Sequence, residues 1–336
     1  MIIPDNERMG RPVKVIVEPD TVKYRGEEYE CMFVSFLDEN GESFTTTGSD
    51  TIWYNQVTNQ YRERHGIPYQ DEIVALRERY GLSAAKMSQI LGFGANQYRL
   101  YEDGEVPSES NGKMIRGAMN PTVFRDLVCS SSHLLSEREV PKICKHLDEL
   151  IAGKEAWQTE RWEMNRLFYT GRGIKNGFAP QSMERLKNLL LYVLGKMGDV
   201  FQTKMNKVLF YIDFLSYRQR GMALSGLAYN AIEFGPVPQR WDRVYSAFDE
   251  VIPVPRMVYE QESLALTAET EADMGCFSED EIAIIDTVCE KMKDLSAHDI
   301  SALSHKEPAW QRNLNQVGTI PYSDAFSLVA FGPIAF

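Results

Sequence analysis

The chain has 336 residues, of which 43% are hydrophobic and 25% charged, with a formal net charge of −12. That balance excludes a disordered or fibrous protein and predicts two or three globular domains, each with its own core. No apolar run approaches the roughly 20 residues that span a bilayer, and "MIIPDNERMG" lacks the layout of a secretory signal, so a cytoplasmic protein with no membrane partner is expected.

The first sixty-odd residues read as β-rich. "VKVIVE" (Val13–Glu18) alternates, and "VKYRGEEYECMFVSFLDENGESFTTT" carries Asn40-Gly41, favoured hairpin chemistry because both residues tolerate positive φ. "TIWYNQVTNQYRERHG" predicts a helix ending at Gly66. From Tyr69 to Leu150 the pattern is helical. "DEIVALRERYG" places acids in the first turn, arginines in the last and Gly81 past the end, as the helix dipole and C-cap chemistry require. Pro121 marks another helix start, and Pro141 falls in the first turn of "SEREVPKICKHLDELIAG", where a missing N–H is tolerated.

Residues 153–181 turn rich in Gly and Arg and lose periodicity, which predicts an interdomain linker. Within it "GRGIKNG" reads as a flexible basic segment, while Trp157 and Trp162 suggest docking on a surface. "SMERLKNLLLYVLG" and "TKMNKVLFYIDFLSYRQRG" then carry apolar stripes at helical spacing. Ser278 and Glu281 stand at capping-box spacing before the stripe Ile285, Val288, Met292. The predicted fold is mainly α, and α+β overall. Its expected pieces are a small β-rich unit (1–66), a helix-turn-helix domain (67–152), the linker (153–181) and a helical C-terminal domain (182–336).

Charge and cysteine placement add little specificity. The block Glu260 to Glu290 is the most acidic; a solvated face is its common reading, and a surface for a basic partner the sharper one. Five scattered cysteines (Cys31, Cys129, Cys144, Cys276, Cys289) form no C-x-x-C pair, which argues against both disulfides and zinc.

"LSAAKMSQILGFGANQYRLYEDG" (Leu82 to Gly104) carries the strongest local signal. Ser83 caps a helix whose apolar positions face inward, Gly92 to Gly94 makes a turn, and a short second helix follows, with Tyr98 and Tyr101 packing. Asn96, Gln97 and Arg99 project outward, where Asn and Gln can bond adenine and Arg guanine. Lys86, Lys113 and Arg116 are candidate phosphate contacts, and Ser83 belongs to the same candidate DNA-binding set. A helical hairpin with solvated polar residues is the rival reading. The stretch resembles the DNA-binding half of MqsA-type antitoxins, and Asn96 falls on that family's base-reading asparagine. Where the family places a second base-reading arginine, this chain has Leu100, with Arg99 one residue earlier, so a different operator is expected. Upstream, "VKYRGEEYECMFVSF" resembles the zinc finger of that family without its C-x-x-C pairs, and Cys31 alone cannot hold zinc. The resemblance therefore implies a metal-free relic.

In the last part of the chain, Lys204, Asn206, Lys207, Tyr211 and Asp213 crowd a largely apolar helix, and Gly235-Pro236-Val237-Pro238 reads as a rigid turn after "YNAIEF", with Tyr229 at its start. Fold maintenance and partner contact both remain open for these residues. His305 and Trp310 in "SHKEPAW" lack a nucleophile motif nearby, so His305 reads as a hydrogen-bonded structural histidine. No catalytic residue, cofactor or metal is expected. "TKMNKVLFYIDFLSYRQRGMALSGLAYNAIEFGPVPQRW" and "LSAHDISALSHKEPAW" closely resemble the Panacea domain of antitoxins and of the SocA-type proteolytic adaptor, over roughly Ser182 to Phe336. The resemblance implies a type II antitoxin that neutralises a cognate protein toxin by direct binding. Such a protein would repress its operon by binding double-stranded operator DNA as a homodimer. The alternative it leaves is a transcription regulator and proteolytic adaptor that delivers a client to a protease.

Overall fold

A long antiparallel hairpin opens the fold. Strand β1 (Lys14–Tyr24) pairs with β2 (Glu27–Leu37) from Lys14↔Leu37 to Tyr24↔Glu27. Its two-residue turn puts Arg25 at φ 49° and Gly26 at φ 91°, the positive values a primed turn demands. The Asn40-Gly41 turn forms as expected and brings back β3 (Ser43–Phe44), with Phe36↔Phe44 in register. Only Gly41 takes a positive φ there, at 79°. The Asp38 carboxylate holds the turn instead, accepting from the N–H groups of Asn40 and Glu42 at 2.9 Å each.

The computed structural model describes residues 13–153, 162–258, 261–316 and 318–332. It is mainly α, with small antiparallel sheets. Contacts divide the chain into two units, one of Met1–Val57 with Met164–Phe336 and one of Thr58–Glu163. The opening hairpin belongs to the larger unit: Val13, Val34, Phe36 and Ile52 share a buried cluster with Phe326. Trp157 lies outside the described residues.

After helix α1 (Thr47–His65), the smaller unit contains helices α2 (Gln70–Arg79), α3 (Ala84–Ile90), α4 (Gln97–Glu102), α5 (Glu109–Ala118), α6 (Pro121–Ser130) and α7 (Glu139–Ala152). Ser83, Ser108 and Asn120 each cap a helix start by accepting a backbone N–H, and Pro121 occupies a first-turn position. One core unites them, with Ile73, Leu76, Met87, Ile90, Tyr98, Ile115, Phe124 and Leu147 all buried. Tyr80 stacks on Phe124 at 4.3 Å between ring centres and donates its hydroxyl to the Ala118 carbonyl.

In the larger unit the helix Met183–Met197 leads through β4 (Val200–Phe201) into a central helix, Gln202–Arg220. Every residue from Lys204 to Arg218 of that central helix is buried. Strands β5 (Tyr229–Ile232) and β6 (Gly235–Pro238) form a two-stranded sheet, and β4, β8 (Gln261–Thr267) and β7 (Ile252–Val258) a three-stranded one. Helices Glu279–Met292, Ala297–Ser304 and Pro308–Asn313 follow. The capping box of Ser278 and Glu281 is present in both directions. Among the described residues no helix is long and apolar enough to cross a membrane.

Two expectations need correction. Gly235 to Pro238 is a strand rather than a turn, paired Ile232↔Gly235 through Tyr229↔Pro238. The prolines sit at alternate positions, so their missing N–H groups fall on the side away from β5, while Gln239 on the other parity donates to the Ala228 carbonyl. The turn proper is Glu233–Phe234, closed by Gly235 at φ 102°. The supposed flexible basic segment is also packed. Asn176 is fully buried, accepts from the Gly173 N–H and donates to the carbonyls of Ala179 and Gly226, and Phe178 and Ala179 are buried beside it.

The central helix ends at Gly221, in the left-handed conformation at φ 67°, where a Cβ would overlap the Ile52 carbonyl oxygen. Gly81 has nearly the same φ, 62°, with open space around it. Gly81→Ala should therefore cost only the left-handed penalty, about 1–2 kcal/mol. Gly221→Ala should cost about 1–3 kcal/mol more than that, because methyl overlap with backbone adds to it. Urea unfolding of the two variants checks this, and equal losses would refute the close approach.

Candidate functional site

Two regions of the chain have the geometry to carry function, one in each unit. In the smaller unit α3 and α4, the two short helices of Leu82 to Gly104, are held together by a short set of bonds. Ser83 Oγ accepts the Lys86 N–H at 3.2 Å and starts α3. Buried Ser88 Oγ accepts the Tyr98 N–H at 3.0 Å, and the Tyr98 hydroxyl donates to the Ile73 carbonyl at 2.8 Å. These two bonds tie α4 to α3 and to α2. Glu102 adds a third tie, its carboxylate taking the Arg77 Nε at 2.5 Å and its carbonyl the Gln70 amide at 2.7 Å. Tyr98 and Tyr101 are buried as expected, 0% and 2% exposed. Burial pushes the Tyr98 hydroxyl well above its ordinary value, with Glu102 adding to the effect.

Asn96 and Arg99 are exposed, and Leu100 beside them is also largely in solvent. Asn96 makes no side-chain capping bond to α4. Gln97 donates to Glu105 at 3.1 Å and Arg99 lies 3.9 Å from Asp103. Each of the three lysine and arginine positions expected to meet phosphate has a carboxylate beside it: Lys86 with Glu139 at 3.1 Å, Lys113 with Glu109 at 3.8 Å, Arg116 with Glu72 at 3.4 Å. Pairs this exposed contribute roughly 0–1 kcal/mol, so a phosphate can displace the carboxylate at small cost.

In the larger unit the polar residues of the central helix each hold a different segment. Asp213 is fully buried and accepts four hydrogen bonds. Its Oδ1 takes the N–H groups of Leu224 at 2.8 Å and Ser225 at 2.6 Å, and its Oδ2 takes the hydroxyls of Tyr229, at 2.5 Å, and Ser225. Burial raises its pKa, and the four donors oppose the rise. Lys204 donates to the carbonyls of Lys293 and Leu295 at 2.8 and 2.7 Å. Asn206 accepts the Tyr245 hydroxyl at 2.6 Å. Tyr211 donates to Glu307 at 3.2 Å.

Lys207 differs from all of these. It is 1% exposed and has neither a hydrogen-bond nor an ion-pair partner among the described residues. Burial lowers its pKa to about 8. Its Cε and Nζ, with the Ser304 hydroxyl, crowd the α-carbon of Gly235, where only a hydrogen leaves room. His305 follows Ser304, stacks on Trp310 at 4.3 Å, and leaves Nε2 buried without a partner, contrary to the hydrogen-bonded histidine expected. Trp310 Nε1 donates to the Ile232 carbonyl at 2.8 Å.

Lys204, Asn206, Lys207, Tyr211, Asp213, Tyr229 and Gly235 to Pro238 are thus all buried, and only His305 and Trp310 reach the surface in part. Sequence reasoning missed Glu307 and Arg218, both buried on the same network. Glu307 takes the N–H groups of Val329 and Ala330 at 2.7 and 2.9 Å, and Arg218 donates to the carbonyls of Leu328 and Gly332 at 3.2 and 2.9 Å. A glutamate directly before a helix-starting proline, Glu307-Pro308, was the available signal for the first. Among the described residues no group of three or more His, Cys, Asp or Glu is placed to hold a metal ion.

Residues 205–311 match the family described as Antitoxin SocA-like, Panacea domain. No curated protein and no solved structure matches the chain.

The lone buried amine has a measurable consequence. In the unfolded chain Lys207 takes up its proton near 10.5, in the folded chain only near 8. As the pH falls through that window the unfolded state binds the proton first, so stability is lost on going from pH 10.5 to pH 8. Lys207→Met should therefore stabilise the larger unit by roughly 2–3 kcal/mol at pH 7, the gain shrinking toward zero as pH rises past 10. Chemical unfolding of both proteins across that range tests it, and a methionine variant less stable at pH 7 overturns the assignment.

Proposed function

We propose that the protein is a type II antitoxin that works by occlusion and performs no chemistry. The match of residues 205–311 to the antitoxin domain is the observation that carries this reading. In it the larger unit binds a cognate protein toxin and covers the toxin's working surface. The smaller unit binds operator DNA as a homodimer, Asn96 and Arg99 reading bases, and represses the operon.

The burial of the central-helix residues supports a toxin contact elsewhere, on groups they position. Ile232 and Phe234, at the turn between β5 and β6, are 37% and 68% exposed, and Trp310 is bonded to that turn. Large apolar side chains in solvent beside a fixed aromatic are the usual make-up of an interface centre. Glu269, Glu271, Asp273, Glu279 and Asp280 are also exposed. A toxin acting on RNA or nucleotides would present a basic surface, and these carboxylates would steer it in.

Expression together with the product of the adjacent small reading frame should restore growth. Phe234→Asp should abolish the rescue while leaving the melting temperature unchanged; failure of the unaltered protein to rescue any neighbouring toxin sinks the proposal. A client that disappears from the cell, rather than persisting inert, would replace occlusion by delivery to a protease. On a gel shift with the promoter fragment, Asn96→Ala with Arg99→Ala should weaken binding by at least about tenfold, since each base contact is worth about 1–3 kcal/mol. Unchanged binding would remove α4 from the DNA.

A further inference from the structure

Helices α6 and α7 of the smaller unit pack antiparallel, and an ion pair fixes one rung of their contact: Arg125 Nε lies 2.7 Å from the Asp148 carboxylate. The next rung is one turn further, four residues on in α6 and four back in α7, which sets Cys129 opposite Cys144. Phe124 and Val128 of α6 with Ile143 and Leu147 of α7 step along the inner face in the same sense and are buried in the shared core. The two thiols meet. Cys129 is the hydrogen-bond and electrostatic neighbour of Cys144, and Arg125 lies close enough to act on both.

Reagents can reach this pair, since Cys129 is exposed and Cys144 half-buried. Burial raises the Cys144 pKa, and of the charges beside it Arg125 favours the thiolate while Asp148 opposes it. Cys31 and Cys289 are buried, and burial pushes their thiols up to about 11 and about 12, where they are inert. Cys276 is exposed but belongs to the larger unit. The segment between Cys129 and Cys144 braces α3. Ser131 donates to the Ile90 carbonyl at 3.2 Å, Gln89 to the Leu134 carbonyl at 2.9 Å, and Lys86 pairs with Glu139 at 3.1 Å.

We propose that Cys129 and Cys144 form a redox modification site that closes to an intramolecular disulfide by exchange with a small-molecule disulfide. The Cys129 thiolate attacks one sulfur of that reagent, whose S–S bond breaks, and a first small thiolate leaves. The Cys144 thiolate then attacks Cys129 Sγ and expels the second. The two cysteines lose two electrons and two protons, the reagent's disulfide is reduced, and its two halves depart as thiols. The new bond closes the loop that braces α3 and so fixes that brace, whatever ligand the unit binds.

Glutathione disulfide serves as the probe, one equivalent added to the reduced full chain under native conditions. Free thiols, counted after unfolding, should fall from five to three, and peptide mapping should join Cys129 to Cys144. A cross-link across a loop of roughly 15 residues should raise the melting temperature of the smaller unit by at least about 5 °C, and dithiothreitol should reverse the rise. Cys144→Ser should trap one glutathione on Cys129, while Cys129→Ser should slow the reaction at Cys144 at least about tenfold. The proposal falls if all five thiols persist, if the lost thiols map to another pair, if the unaltered protein stops at the mixed disulfide, or if the oxidised protein melts below the reduced one.

Discussion

Asp213 is the constraint on which the larger unit is built. A carboxylate with no solvent contact is tolerated only where its lone pairs are filled, and four donors converge on this one. Three of its four bonds come from Leu224 and Ser225, so the chain leaving the central helix must turn back sharply at Gly221 and Met222. Its fourth bond comes from Tyr229, the first residue of β5. From there the geometry propagates. The register Tyr229↔Pro238 places Gly235 opposite Ile232, and Gly235 meets Lys207 two turns up the same helix. The Tyr229 carbonyl then receives the Ile320 N–H at 2.7 Å, and the Leu227 carbonyl the Tyr322 hydroxyl at 2.8 Å, which seats the end of the chain.

Other buried charges follow the same logic with different outcomes. Glu281 sits in a low-dielectric setting that favours its neutral form, yet Arg220 and Arg185, 2.9 and 2.6 Å away, outweigh this and hold its pKa below the ordinary value. Glu307 is neutralised by N–H dipoles and one hydroxyl rather than by an ion. Lys207 has no partner among the described residues, and burial lowers its pKa. A helix buried on every side would be most stable if wholly apolar. The cost of the bonded positions is offset by specificity, since each of them fixes another segment of the chain, and Lys207 is the exception.

Local signals in the sequence were reliable wherever a few neighbouring residues decide the outcome. The capping box at Ser278, the cap at Ser83, Pro121 at a helix start, Gly81 past a helix end, and the packing of Tyr98 and Tyr101 all follow from chemistry within a turn or two. The match of residues 205–311 likewise lies inside the stretch whose phrases resemble that domain. What stayed hidden depends on partners far along the chain. Nothing in "VKVIVE" tells that Val13 packs with Phe326, more than three hundred residues later. "GRGIKNGFAPQ" looks like a linker by composition, because glycines there serve close approach rather than freedom: Gly177 lies against Ala223 and Tyr322. "GPVP" looks like a turn because two prolines are usually a break, yet alternate prolines suit an edge strand that needs only every second N–H.

The two units use charge in opposite ways, and this bears on how the proposed DNA contact would work. In the smaller unit the carboxylates stand beside the cations at the surface, where either partner can be exchanged. Displacing Glu139, Glu109 and Glu72 from Lys86, Lys113 and Arg116 would free three positive charges for the proposed phosphate contacts. Because the electrostatic part of DNA binding scales with the number of phosphates neutralised, a single unit with so few free cations would bind weakly and with only a shallow dependence on salt. Doubling the contact on a two-fold operator squares that modest affinity without a strongly basic surface. Under the proposed function, a chain of net charge −12 would act on DNA as an assembly, and its acidic remainder would keep monomers from coating the genome non-specifically.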